Sequence, residues 1–293
     1  MDLCAIIIGT LYFLLSFTFL VLNGTIIFVL STNKEFRTST YRIIKTLCFS
    51  CMLQLVSFWI GGIMTISQST LNYYLDRVLG VLVESSWFFY VSISLTLAVD
   101  RLLVFICIRS SDFSIITTIL LGLSWLFFLC IVVAMGLQLF GYTYEHHGMV
   151  YQWGYTSTSG SRIVMKMEPY FDMGVFAMIF TIYSVLCVYL FKIKASTKNN
   201  SAFFKSEMRI FLVAVLSFTY ETVFVVWSFW VPTKILREKG MYIFLNLTWI
   251  IECGMFASLT LVINVSLRRK ILSAIGINQG KTIDVVVLTT RLE

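Results

Sequence analysis

Asp100 and Arg101 stand side by side at the end of a run of some twenty residues that contains one other acid, Glu84. A charge inside a membrane span costs several kcal/mol, so such a pair either marks a headgroup boundary or turns inward and faces other helices. Two further glutamates, Glu221 and Glu252, sit in other apolar runs with no Lys or Arg at matching depth. Intramembrane acids of this kind are neutral acids bonded to a neighbour such as Ser85 or Tyr220, or they aim at a cationic or donor-rich ligand. Little else could do chemistry. The two histidines, His146 and His147, are adjacent, which suits a solvated turn better than a metal centre. Neither His-Glu-x-x-His nor Gly-x-Ser-x-Gly occurs, so the expectation is no enzyme, no metal and no cofactor.

The elements that must carry these residues are membrane helices. The 293 residues are 58% hydrophobic and 13% charged, against about 25% charged in soluble domains. Hydropathy predicts seven spans, at 4–30, 43–66, 78–106, 115–139, 170–191, 210–231 and 241–267. The net charge of +7 is distributed unevenly: with an extracellular N-terminus, 16 basic residues fall on the inner side and 6 on the outer. That bias fixes orientation by the positive-inside rule, places Asp100 and Arg101 inside, and replaces the nucleic-acid reading of a basic chain. The seven cysteines all lie in or beside apolar runs and read as packing residues.

Glu84 lies about 26 Å of helix outward from Arg101. At 100° per residue Val83, Trp87, Tyr90, Ser94, Leu97 and Arg101 share one face, which Glu84 flanks. That face is too polar for lipid, so Trp87 and Tyr90 are expected in a pocket wall with Glu84 and Glu252 as ligand-binding acids, and Glu221 as a packing or switching element. Residues 142–155 alternate aromatics about a His-Gly turn, as a short hairpin lid would. After the seventh span, residues 266–277 mix a basic with an apolar face, either a short amphipathic helix or a basic stop signal with a tail. The expected division is a receptor domain over 1–277 and a cytoplasmic tail over 278–293.

Seven spans and Asp100-Arg101-Leu102 closing the third resemble the rhodopsin-like G-protein-coupled receptors, whose motif there is Asp-Arg-Tyr. Asn23 matches the first-span Asn, Trp125 the fourth-span Trp, and Asn264-Val265-Ser266-Leu267-Arg268 stands where the seventh span carries Asn-Pro-x-x-Tyr. The resemblance implies that Asn23 and Trp125 are structural, that Asp100, Arg101 and Asn264 belong to the switch and the G-protein face, and that Arg101 pairs with Asp100 at rest. The chain departs from the pattern at Val265 and Arg268, lacks a second-span Asp for the sodium site, and lacks the cysteines of the outer disulfide. Glu207-Met-Arg-Ile-Phe-Leu and residues 249–268 further resemble the class X nematode serpentine chemoreceptors.

The resemblance implies a chemosensory receptor in the plasma membrane, in a sensory cilium if it is of the chemoreceptor kind. Its partners would be a small external ligand, a heterotrimeric G protein and membrane lipids, with homo- or hetero-oligomers open and no nucleic acid. The alternative is a seven-span ligand-gated channel subunit, whose chemosensory examples place the N-terminus inside.

Overall fold

In a computed structural model, residues 3–106, 113–147, 150–196, 202–230 and 239–274 are described. They form α1 (Leu3–Thr32), α2 (Ser39–Ser67), α3 (Tyr73–Ile106), α4 (Phe113–Gly136), β1 (Tyr142–His147), β2 (Val150–Tyr155), α5 (Ser159–Ser196), α6 (Ala202–Trp230), α7 (Lys239–Ile263) and α8 (Val265–Ala274). Among the described residues seven helices, α1 to α7, are long and apolar enough to cross a membrane. In hydrocarbon only a helix satisfies its own backbone, and apolar runs of this length have no better option. Hydroxyls inside the runs follow the same logic: Thr18, Thr25 and Ser258 each donate to the carbonyl four residues back, at 2.8 Å.

α3 runs through the middle of the bundle, and α2 and α3 are equally the most buried of the seven helices. α4 presents Ile119, Leu123, Leu126, Leu129 and Val133 outward, a surface suited to lipid. Small residues let α1 and α2 approach closely: a Cβ on Gly9 would stand 2.7 Å from the Gly62 carbonyl. Asn23 is buried and donates to the Cys253 carbonyl at 3.1 Å, tying α1 to α7. Trp125 packs against Phe89 and Phe49, with ring centroids 4.7 and 5.8 Å apart.

β1 and β2 pair antiparallel, Tyr142 opposite Tyr155 and Tyr144 opposite Trp153. The period-two alternation buries Tyr142, Tyr144, Tyr151 and Trp153, so the hairpin lays an aromatic face on the bundle. Four contacts dock it. The Tyr144 N–H donates to Asp76 of α3 at 2.9 Å, and the Tyr144 hydroxyl meets Thr65 of α2 at 2.9 Å. Asn246 of α7 donates to the Tyr151 carbonyl at 2.8 Å, and the Tyr155 hydroxyl reaches Glu84. At Gly80 the Tyr142 carbonyl comes so close that a Cβ would lie 1.6 Å from its oxygen. The side chains of His146 and His147 lie outside the described residues.

Most boundaries shift by a few residues, α6 begins eight residues early, and two further differences bear on the sites. The fifth span was expected from residue 170, but α5 begins at Ser159 and carries Pro169 inside it. An interior proline removes one backbone bond and ends most helices, yet a long helix tolerates it where neighbouring packing holds both sides. The seventh span ends at Ile263 rather than at 267. Asn264 breaks the helix and accepts the Leu267 N–H at 3.2 Å, capping α8. Of the two readings of the segment after the seventh span, the helix forms: Leu267 and Ile271 are buried and Arg269 stays exposed. Residues 275–293 lie outside the described residues.

Candidate functional site

At one end of α3 the Arg101 side chain is fully buried and Asp100 nearly so, which is not how a boundary marker would sit. Arg101 Nη2 donates to Asp100 Oδ2 at 2.5 Å and to Thr40 Oγ1 of α2, while Nη1 donates to Glu207 Oε2 of α6 at 2.5 Å. Asp100 also accepts from Thr40 at 2.8 Å and from Thr117 of α4 at 3.2 Å. Four helices thus converge on one ion cluster. Desolvating such charges offsets much of their attraction, but removing one partner strands the others at about 3–5 kcal/mol.

About twenty residues back along α3 the interior is acidic. Glu84 of α3 and Glu168 of α5 share the Tyr155 hydroxyl, which contacts Glu168 Oε2 at 2.9 Å. Four residues on, Asp172 accepts from the Trp87 indole nitrogen at 3.0 Å. All three acids are buried, and Glu84 Oε2 and Asp172 Oδ1 lack a hydrogen-bond partner. One phenolic hydrogen cannot serve two carboxylates, so one of the two acids meeting at Tyr155 must itself donate. Burial, then Glu84 and Glu168, hold the Tyr155 phenol well above the ordinary tyrosine range, so it stays a donor.

Beside this cluster is a cavity of about 400 Å³ between the hairpin, α3, α5, α6 and α7. Its wall includes Trp87, Trp153, Trp249, Phe224, Glu168 and Ser228. Trp87, Phe224 and Trp249 meet edge to face or tilted at centroid distances of 5.7 to 5.9 Å, a rigid aromatic corner. A larger cleft of about 820 Å³ lies between α3, α4 and α5, but its lining is almost wholly apolar and hydrocarbon would fill it.

The expected site residues separate into groups. Trp87 lines the cavity, and Glu84 stands behind it, joined through Tyr155. Tyr90 is deeper, donating to Glu221 of α6, which also accepts from Ser217 at 3.0 Å. Glu252 is buried beside Cys253, whose thiol lies 3.6 Å from its Oε2, and does not line the cavity. Asn264 caps α8, and none of its hydrogen bonds goes to Arg101. Three acids of these sites are not among the expected site residues. Asp172 falls within the expected fifth span and was there to be found, Glu168 was hidden by reading Pro169 as the end of a loop, and Glu207 is 106 positions from its partner Arg101.

No family model matches the sequence, and no curated protein matches it. Among solved structures the chain is similar to squid rhodopsin, with a TM-score of 0.73 at 15% identity over 94% of this chain and 86% of that one. The chain therefore has the rhodopsin-like seven-helix fold, and its buried ion cluster and its aromatic, acidic cavity lie toward opposite ends of that bundle.

Proposed function

We propose that the chain is a G-protein-coupled chemosensory receptor of the nematode serpentine kind, most like class X, with its N-terminus outside the plasma membrane. A small external molecule occupies the cavity under the hairpin, and a heterotrimeric G protein meets the face around Asp100 and Arg101. The observation that carries this reading is the cluster in which Arg101 joins Asp100, Thr40 and Glu207 across α2, α3 and α6. α6 supports it from both ends: Phe224 and Ser228 line the cavity, and Glu207 lies about 26 Å of helix away. A ligand that binds one tilt of α6 more tightly shifts the Arg101–Glu207 pair by its differential affinity and no more. Residence in a sensory cilium and pairing with a second receptor belong to the same proposal.

The test is nucleotide exchange on a panel of heterotrimeric G proteins by the full chain in membranes. Exchange above receptor-free membranes is expected, with loss of it in Arg101→Ala at equal surface expression. An unchanged rate in Arg101→Ala removes that residue from the mechanism. A ligand-evoked current without any G protein, with an N-terminal tag labelled only from inside, would establish the channel instead.

A further inference from the structure

We infer that the cavity beneath the hairpin takes a small organic cation, an ammonium compound that also carries a hydrogen-bond acceptor. This deepens the receptor reading, on which it rests for the meaning of the site but not for the chemistry. The charge argument comes first. Glu84, Glu168 and Asp172 are 0%, 5% and 0% exposed, and none forms an ion pair with a Lys or Arg among the described residues. Arg77, near the same end of α3, is turned away and spends its Nη2 on the carbonyls of Met135, Leu137 and Phe140. Glu168 lines the cavity with one oxygen committed to Tyr155, and Glu145 of β1 adds a further acid to the wall.

The wall itself is the second argument. Trp87, Trp153 and Trp249 with Phe224 present aromatic surface around the cavity, and ring faces attract a desolvated cation by about 2 kcal/mol or more. Carboxylates behind aromatic walls suit an ammonium group better than any neutral or anionic ligand of the same size. The third observation is polar. Trp153 is 4% exposed, yet its indole N–H has no partner, and the Ser228 hydroxyl also lacks one. Both residues line the cavity with these two atoms closed off in its wall, so a small turn of either side chain on ligand binding brings an unspent donor to the ligand's acceptor. The volume fits a ligand of an aromatic ring and a short amine chain, not a peptide.

The experiment uses the purified full chain in detergent and needs no G protein. Thermal unfolding and tryptophan fluorescence are followed with 2-(4-methoxyphenyl)ethylammonium, whose ether oxygen is the acceptor, with tetramethylammonium and with the neutral 2-(4-methoxyphenyl)ethanol, all at millimolar concentration. A raised midpoint and a fluorescence change with at least one ammonium compound but not with the alcohol is expected, and Glu168→Gln weakens that binding by about thirtyfold. Asp172→Asn, which keeps an acceptor for the Trp87 indole, is measured beside it, because one of the two acids at Tyr155 is neutral and Glu168→Gln removes a charge only where that acid is Glu84. Equal effects of alcohol and ammonium, no effect of either cation, or undiminished binding in every folded variant overturns the proposal. Cation binding without G-protein turnover would support this site and sink the receptor reading, whereas turnover evoked only by neutral ligands would do the reverse.

Discussion

Tyr90 of α3 donates its phenolic hydrogen to Glu221 of α6, between the cavity and Arg101 along the bundle. Both residues are buried, and Ser217 is the other donor to the same carboxyl oxygen, at 3.0 Å. The bond links the helix that runs through the bundle's middle to the helix that carries Glu207. Removing the hydroxyl in Tyr90→Phe leaves the ring and Ser217 in place and costs about 1 kcal/mol. The unfolding midpoint in detergent should fall by a few degrees and basal G-protein exchange should rise. An unchanged midpoint with unchanged exchange would show that the bond ties nothing.

Glu207→Gln keeps the shape of the α6 partner of Arg101 and removes its charge. The lost pair is partly exposed on the Glu207 side, at 16%, so a cost of about 1–2 kcal/mol is expected, below that of a fully buried pair. If the resting arrangement depends on it, basal exchange rises roughly tenfold in ligand-free membranes. Basal exchange equal to wild type would remove the pair from the switch.

Gly80→Ala and Gly122→Ala form a matched test of how the hairpin is seated. A methyl group at residue 80 would meet the Tyr142 carbonyl oxygen at 1.6 Å, and backbone cannot yield cheaply, so a loss of about 3 kcal/mol or misfolding follows. At residue 122 nothing lies within 4 Å, and the exchange of glycine for alanine inside α4 is neutral or stabilising by about 0.5–1 kcal/mol. Surface yield and unfolding midpoint of the two variants should diverge in opposite directions from wild type.

Alkaline pH tests the burial of the hairpin phenols. Burial first, then nearby glutamates, raise Tyr142 and Tyr155 above their ordinary value of 10.0. For a group whose folded pKa is raised, the stabilisation is whole below the unfolded pKa and is lost as pH climbs toward the folded one. The midpoint should therefore be insensitive to these groups up to about pH 9 and fall beyond pH 10, less steeply in Tyr155→Phe. The same slope in both proteins would show that Tyr155 ionises as freely folded as unfolded.

How much could be read beforehand depended on whether the signal was local. The spans, the alternating hairpin and the amphipathic α8 are runs of residue type, and they stand in the fold close to where periodicity put them. Trp87 followed from its shared face with Arg101 and does line the cavity. Pairings across helices carry no such signal: nothing in the sequence joins Glu207 to Arg101, or Tyr155 to Glu84 and Glu168. The start of the fifth span at 170 fell short because hydropathy marks only the apolar stretch, whereas α5 continues through Pro169 back to Ser159. Glu252 had the right depth but bonds beside Cys253, since depth along α7 does not fix which way a side chain faces.

The seating of the hairpin has a chemical consequence. Asp76, Thr65, Asn246 and the close backbone approach at Gly80 hold it, and Cys48, Cys51, Cys130, Cys187 and Cys253 are in no disulfide. Reductants act on sulfur bridges and leave hydrogen bonds and steric fit untouched. A lid fastened in this way is expected to keep its grip in dithiothreitol, so the covered end of the bundle needs no oxidising compartment in order to close.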